Sequence, residues 1–125
     1  MKNLIVDLDG TLTKLDSDNY REVSPRYDMI DKLRHYKDDG FDITISTARN
    51  MRTYDGNVGK INIHTLPVII EWLDRHGVPY DNIIVGKPWC GKSGFYIDDK
   101  SIRPSEFLSM SYQEISELLA KELEC

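Results

Sequence analysis

The apolar positions of the chain fall into short runs that alternate in period. Residues 3–8, "NLIVDL", are a brief apolar run and read as a buried strand. Met29, Ile30, Leu33 and Tyr36 are spaced as one stripe of a helix that follows Ser24-Pro25 and stops at Gly40. Ser24 is the expected N-cap, with Pro25 at the first helical position. "FDITIS" (41–46) alternates apolar and polar side chains, as a half-buried strand does. Residues 50–63, with "DGNVG", read as irregular. A second helix is expected from about Leu66 to His76, burying Val68, Ile69, Trp72 and Leu73 and ended by Gly77. "NIIVG" (82–86) and "GFYID" (94–98) read as third and fourth strands. Ser111 and Glu114 have the spacing of a capping box that opens a last helix carrying Ile115, Leu118, Leu119 and Leu123.

Strands alternating with helices predict an α/β fold with a parallel sheet and helices on both faces. With 125 residues and no repeat or composition break, one domain over 1–125 is expected. A formal net charge of −5 argues against a nucleic-acid partner, which recruits Lys and Arg. No apolar run approaches the roughly 20 residues that cross a bilayer, so no membrane partner is expected. Cys90 and Cys125 form neither C-x-x-C nor a disulfide framework and read as thiols in a reducing cytoplasm.

In open α/β sheets chemistry gathers at the carboxyl ends of the strands. Here those ends carry Asp7 and Asp9, then Ser46, Thr47 and Arg49, then Gly86 and Lys87, and finally Asp98 and Asp99. Four carboxylates brought to one edge would repel, and a divalent cation would relieve them. Ligands that are all oxygen favour Mg²⁺ over Zn²⁺. His64 has no second His or Cys at ligand spacing, which also argues against zinc.

"DLDGT", "ISTAR", "VGK" and "YIDD", in that order and each after an expected strand, resemble the four motifs of the haloacid dehalogenase superfamily. The likeness spans residues 3 to about 104. It implies a three-layer, Rossmann-like parallel sheet and a phosphatase that forms an aspartyl phosphate. Asp7 would be the nucleophile. Asp9 would protonate the leaving oxygen and then activate water. Gly10 would permit the tight turn between strand and loop. Thr47 would bind phosphoryl oxygens, the bland reading being a loop hydroxyl bonded to backbone. Lys87 would neutralise phosphate and nucleophile. Asp7, the Asp9 carbonyl and Asp98 would hold Mg²⁺, with Asp99 outside or in place of Asp98. The segments between motifs are too short for a cap domain.

The whole chain also resembles short bacterial phosphatases of capsular polysaccharide synthesis, through "STARNMRTYDGNVGKINIHTLP" and "VGKPWCGKSGFYIDD". That likeness implies a small phosphorylated substrate, a sugar phosphate or glycan intermediate. Arg49, Arg52 and Lys60 are candidate substrate contacts and Trp89 a stacking face for a sugar, although Arg49 could equally pair with Asp55 or another acid. Alternatives of other kinds are a nucleotide, phosphoprotein or nucleic-acid end as substrate, or a receiver-like domain that holds a phospho-Asp without turnover. The acids of the last helix leave homo-oligomer formation open.

Overall fold

The structure is a computed structural model and describes residues 2–124. Cys125, expected as a free thiol, lies outside the described residues. The chain divides into two compact units, Met1–Trp89 and Cys90–Cys125.

The first unit is built on three strands, β1 (Asn3–Val6), β2 (Asp42–Thr47) and β3 (Asn82–Val85), all parallel and in the order β1-β2-β3. β1 and β2 align Asn3 with Asp42 through Val6 with Ile45, and β2 and β3 align Thr44 with Asn82 through Thr47 with Val85. The fold class expected from the alternation is therefore present: an α/β unit on a parallel sheet. β2 is rich in β-branched residues, which suit a pleated surface packed on both sides. It is the central strand, and Ile43 and Ile45 are fully buried. The edge strands are wetter, and Ile5 and Ile84 both face solvent.

Helix α1 (Tyr27–Asp38) buries the four stripe residues Met29, Ile30, Leu33 and Tyr36. Its start differs from the expected one. Arg26 is the N-cap, without a side-chain bond, because Pro25 bridges antiparallel to Thr13 and belongs to the preceding loop. Two helices fill the second crossover where one was expected. α2 (Val58–His64) lies in the segment read as irregular, and α3 (Leu66–Arg75) follows after Thr65. Asn57 caps α2 by accepting the Lys60 amide at 3.1 Å, a start signal hidden among glycines. α3 buries Ile69, Trp72 and Leu73. Lys37 of α1 reaches Asp81 at 2.7 Å, and Asp81 also accepts the Ile43 amide at 2.8 Å, so one carboxylate ties α1, β2 and the approach to β3.

The second unit holds α4 (Pro104–Ser109) and α5 (Tyr112–Glu122). Ser111 and Glu114 form the expected capping box, with the Glu114 amide on Ser111 Oγ at 3.1 Å and the Ser111 amide on Glu114 Oε1 at 2.9 Å. α4 was not expected; its opening Pro104 and the Arg103 amide bound by Glu106 at 2.8 Å mark its start. The fourth strand expected over 94–98 is not formed. That stretch is irregular, with Phe95 and Ile97 on the surface, and the sheet has three strands among the described residues. Its apolar alternation fits a strand, but alternation supplies no partner ladder, and a strand exists only when paired.

Candidate active site

The turn after β1 builds the centre of the site. The Leu8 carbonyl accepts the amides of Thr11, Leu12 and Thr13 at 2.9–3.2 Å, closing one tight coil. Gly10 sits in this coil at φ +80°, a backbone conformation that disfavours any other residue. The coil anchors itself through Leu8 and Leu12, which are completely buried. Asp7 and Asp9 stand at its rim.

Asp7 follows the last residue of β1, so the strand register carries it to the carboxyl edge of the sheet. Its Oδ2 accepts the Thr11 hydroxyl at 3.0 Å, and its Oδ1 meets Lys87 Nζ at 3.5 Å. Lys87 is delivered by β3: its amide bonds the Thr47 carbonyl at 3.1 Å, extending the ladder past Gly86. Gly86 adopts φ +84°, and a Cβ there would lie 3.0 Å from Val58, so this approach admits only glycine without a shift. Asp7, Lys87 and Thr47 are thus gathered at one sheet edge, as their motif positions imply.

Asp9 is held by Arg49. The guanidinium donates through Nη2 to Oδ1 at 2.8 Å and through Nε to Oδ2 at 3.1 Å, a two-pronged grip. The Arg49 side chain is 1% exposed and that of Asp9 27%. A buried guanidinium is costly unless paired, so this bond is structural as well as electrostatic. Tyr20 covers the guanidinium, whose carbon lies 4.1 Å from the ring centroid. Burial and the Asp9 carboxylate push the Tyr20 phenol above its ordinary range, with Arg49 opposing. One nitrogen, Arg49 Nη1, is buried and has no partner. Arg49 was expected to touch substrate or a surface acid; the structure commits two of its nitrogens to Asp9.

The other candidates are spread around this centre. Thr47 is buried, and its hydroxyl oxygen accepts the Arg49 amide at 3.1 Å, leaving its own proton to donate. Arg52 lies 5.9 Å from the Trp89 ring centroid, so these two share one patch. Lys60 is exposed on α2. Asp98 and Asp99 belong to the second unit, are exposed, and Asp98 turns its loop by accepting the Lys100 amide at 2.8 Å. Among the described residues no three His, Cys, Asp or Glu side chains are grouped closely enough to hold a metal ion. Among the described residues the first unit brings two carboxylates and no His or Cys to its centre, a donor chemistry that suits Mg²⁺.

Three contributors escaped the sequence reading. Thr11, the last residue of "DLDGT", was legible as part of that motif but was given no role. Tyr20 and Arg21 come from the long loop between β1 and α1, where no motif marks them. That loop is fastened from beneath: Trp72 Nε1 donates to the Val23 carbonyl at 2.9 Å and Arg75 Nη2 to the Arg21 carbonyl at 2.6 Å. It frames a pocket of about 530 Å³ with Arg49, Asn50, His64 and Val68 on its other walls. The connections that could host a cap, 7–26 and 48–57, carry only turns and isolated bridges.

The profile of the haloacid dehalogenase-like hydrolases matches residues 4–71, more than half of the chain, and the chain belongs to that family. It is also similar to a protein from Vibrio cholerae known from a crystal structure, with 68% identity and a TM-score of 0.96 over 98% of this chain and 99% of that one. No curated protein matches. No helix among the described residues is long and apolar enough to cross a membrane.

Proposed function

We propose that this hydrolase is a Mg²⁺-dependent phosphomonoesterase that works through an aspartyl phosphate on Asp7. The observation that carries the reading is the Asp7 carboxylate flanked by Lys87 Nζ and the Thr11 hydroxyl, with a second carboxylate two residues on. Lys87 balances charge on Asp7 and would do the same for an arriving phosphoryl group. An Asp7 oxygen attacks phosphorus, the bond from phosphorus to the alcohol oxygen breaks, and Asp9 gives that oxygen its proton. Water then yields a proton to Asp9 and attacks phosphorus, and the bond to Asp7 breaks to free phosphate and restore both carboxyl groups.

The two-pronged contact with Arg49 orients the Asp9 carboxyl for that transfer. Proton transfer by a placed group contributes about a hundredfold to ten-thousandfold. Thr47 would present its hydroxyl proton to a phosphoryl oxygen. Mg²⁺, when bound, would draw off charge from the phosphoryl group and lower its repulsion with Asp7. Asp7 and the Asp9 carbonyl would hold it.

The likeness to short capsular phosphatases supports a sugar phosphate or glycan intermediate as substrate. Phosphate release from a panel of phosphorylated metabolites, with and without Mg²⁺, tests the reading. Turnover should vanish in EDTA and return with excess Mg²⁺; full turnover in EDTA would refute the metal dependence.

A further inference from the structure

The geometry points to the pocket between the 18–21 loop and the start of α3 as a subsite for the leaving group of the substrate, shaped for an acidic, sugar-sized alcohol. This inference rests on the phosphomonoesterase reading and names the substrate class within it.

The pocket stands beside the group that handles the leaving oxygen, because Arg49 is both a wall of the pocket and the clamp on Asp9. An alcohol whose oxygen is served by Asp9 therefore has its remainder on this side. A volume of about 530 Å³ falls within the range of small-molecule sites.

One feature of the wall calls for a ligand oxygen, and it is Arg21. Its amide and carbonyl are fixed by Asn19 and Arg75, while its exposed guanidinium has no ion pair among the described residues.

The other polar groups are largely spent. Asn50 accepts the Thr65 hydroxyl at 2.8 Å and donates to Thr53 at 3.1 Å, and His64 stacks on Tyr54 with centroids 5.7 Å apart. The charge of Arg49 is answered by Asp9. Asp18 adds one carboxylate to the wall, which disfavours a second phosphate more than a single carboxylate. A leaving group with hydroxyls and one carboxylate, the carboxylate on Arg21, fits this balance.

The test compares two phosphates that differ only in that group, 6-phosphogluconate and sorbitol 6-phosphate. Wild-type protein and Arg21→Met are assayed for KM and kcat, and binding of both compounds is followed by calorimetry. A charged pair on an exposed guanidinium is worth about 0.2–1 kcal/mol, or roughly 1.5–5-fold. Wild type should favour the acid by about that factor in KM and Kd, and Arg21→Met should bring the ratio near one. Arg21→Lys should restore part of it, which a merely unfolded variant would not allow. Equal affinity of wild type for the two compounds overturns the subsite. A preference that survives Arg21→Met overturns it as well. Arg21-dependent binding of the acid without hydrolysis by wild type would leave the subsite standing and reject the phosphomonoesterase reading instead.

Discussion

Replacing Arg49 by Met removes the guanidinium and keeps a stem of similar length in the same buried channel. The two bonds to Asp9, at 2.8 and 3.1 Å, are lost. Hydrogen bonds to charged groups are worth about 1.5–3 kcal/mol each, and truncating one side of a buried ion pair costs about 3–5 kcal/mol. Two effects reduce that figure. Asp9 is 27% exposed and regains water, and the unmet Nη1 disappears with the guanidinium. A net loss of about 2 kcal/mol follows, which for a chain of this size lowers Tm by roughly 8 °C. The catalytic effect should depend on the substrate. An alkyl phosphate needs a proton on its leaving oxygen, whereas an acidic phenol leaves without one. Arg49→Met should therefore lower kcat on an alkyl phosphate by about tenfold to a hundredfold and on p-nitrophenyl phosphate by less than about threefold. Thermal unfolding by circular dichroism and steady-state kinetics on both substrates check this. An unchanged Tm together with equal losses on the two substrates would refute the assigned link between Arg49 and the acid.

Two further outcomes concern the frame of the site. Trp72 is 1% exposed and holds the Val23 carbonyl, so Trp72→Ala should cost about 3–5 kcal/mol, while Trp72→Phe, which keeps most of the volume, should cost about 1–2 kcal/mol in a denaturant titration. Burial and then the Arg75 charge lower the His76 pKa from 6.5, against the pull of Glu71. Below 6.5 the unfolded chain takes up the proton first, so stability should fall as pH drops through that value toward the folded pKa and level off beneath it. His76→Gln should flatten the slope between pH 7 and 5 in denaturant midpoints; an unaltered slope would assign it to other groups.

The parts of this fold that were legible in the sequence are those with local signals. β1, β2 and β3 announce themselves by apolar runs, and α5 by its capping box. "DLDGT" and "VGK" mark strand ends that the parallel register then gathers, so Asp7, Thr47 and Lys87 could be placed together in advance. α2 was missed because its cap, Asn57, sits beside two glycines and its seven residues bury only Ile61. The 94–98 segment has strand composition without a paired neighbour, and composition cannot report that. Arg49 illustrates the remaining limit. Forty positions separate it from Asp9, and nothing in "STAR" tells whether its guanidinium turns outward to a substrate or inward to an acid.

The central claim is that Asp7 carries the phosphoryl group. Enzyme mixed with excess substrate and Mg²⁺ can be quenched within one turnover and treated with borohydride, which reduces an acyl phosphate to the alcohol. Peptide mapping should then find homoserine at position 7 and nowhere else, and Asp7→Asn should show neither this product nor more than about one-thousandth of wild-type turnover. An unmodified Asp7 during active turnover, or an Asp7→Asn variant that hydrolyses substrate at the wild-type rate, would contradict the account.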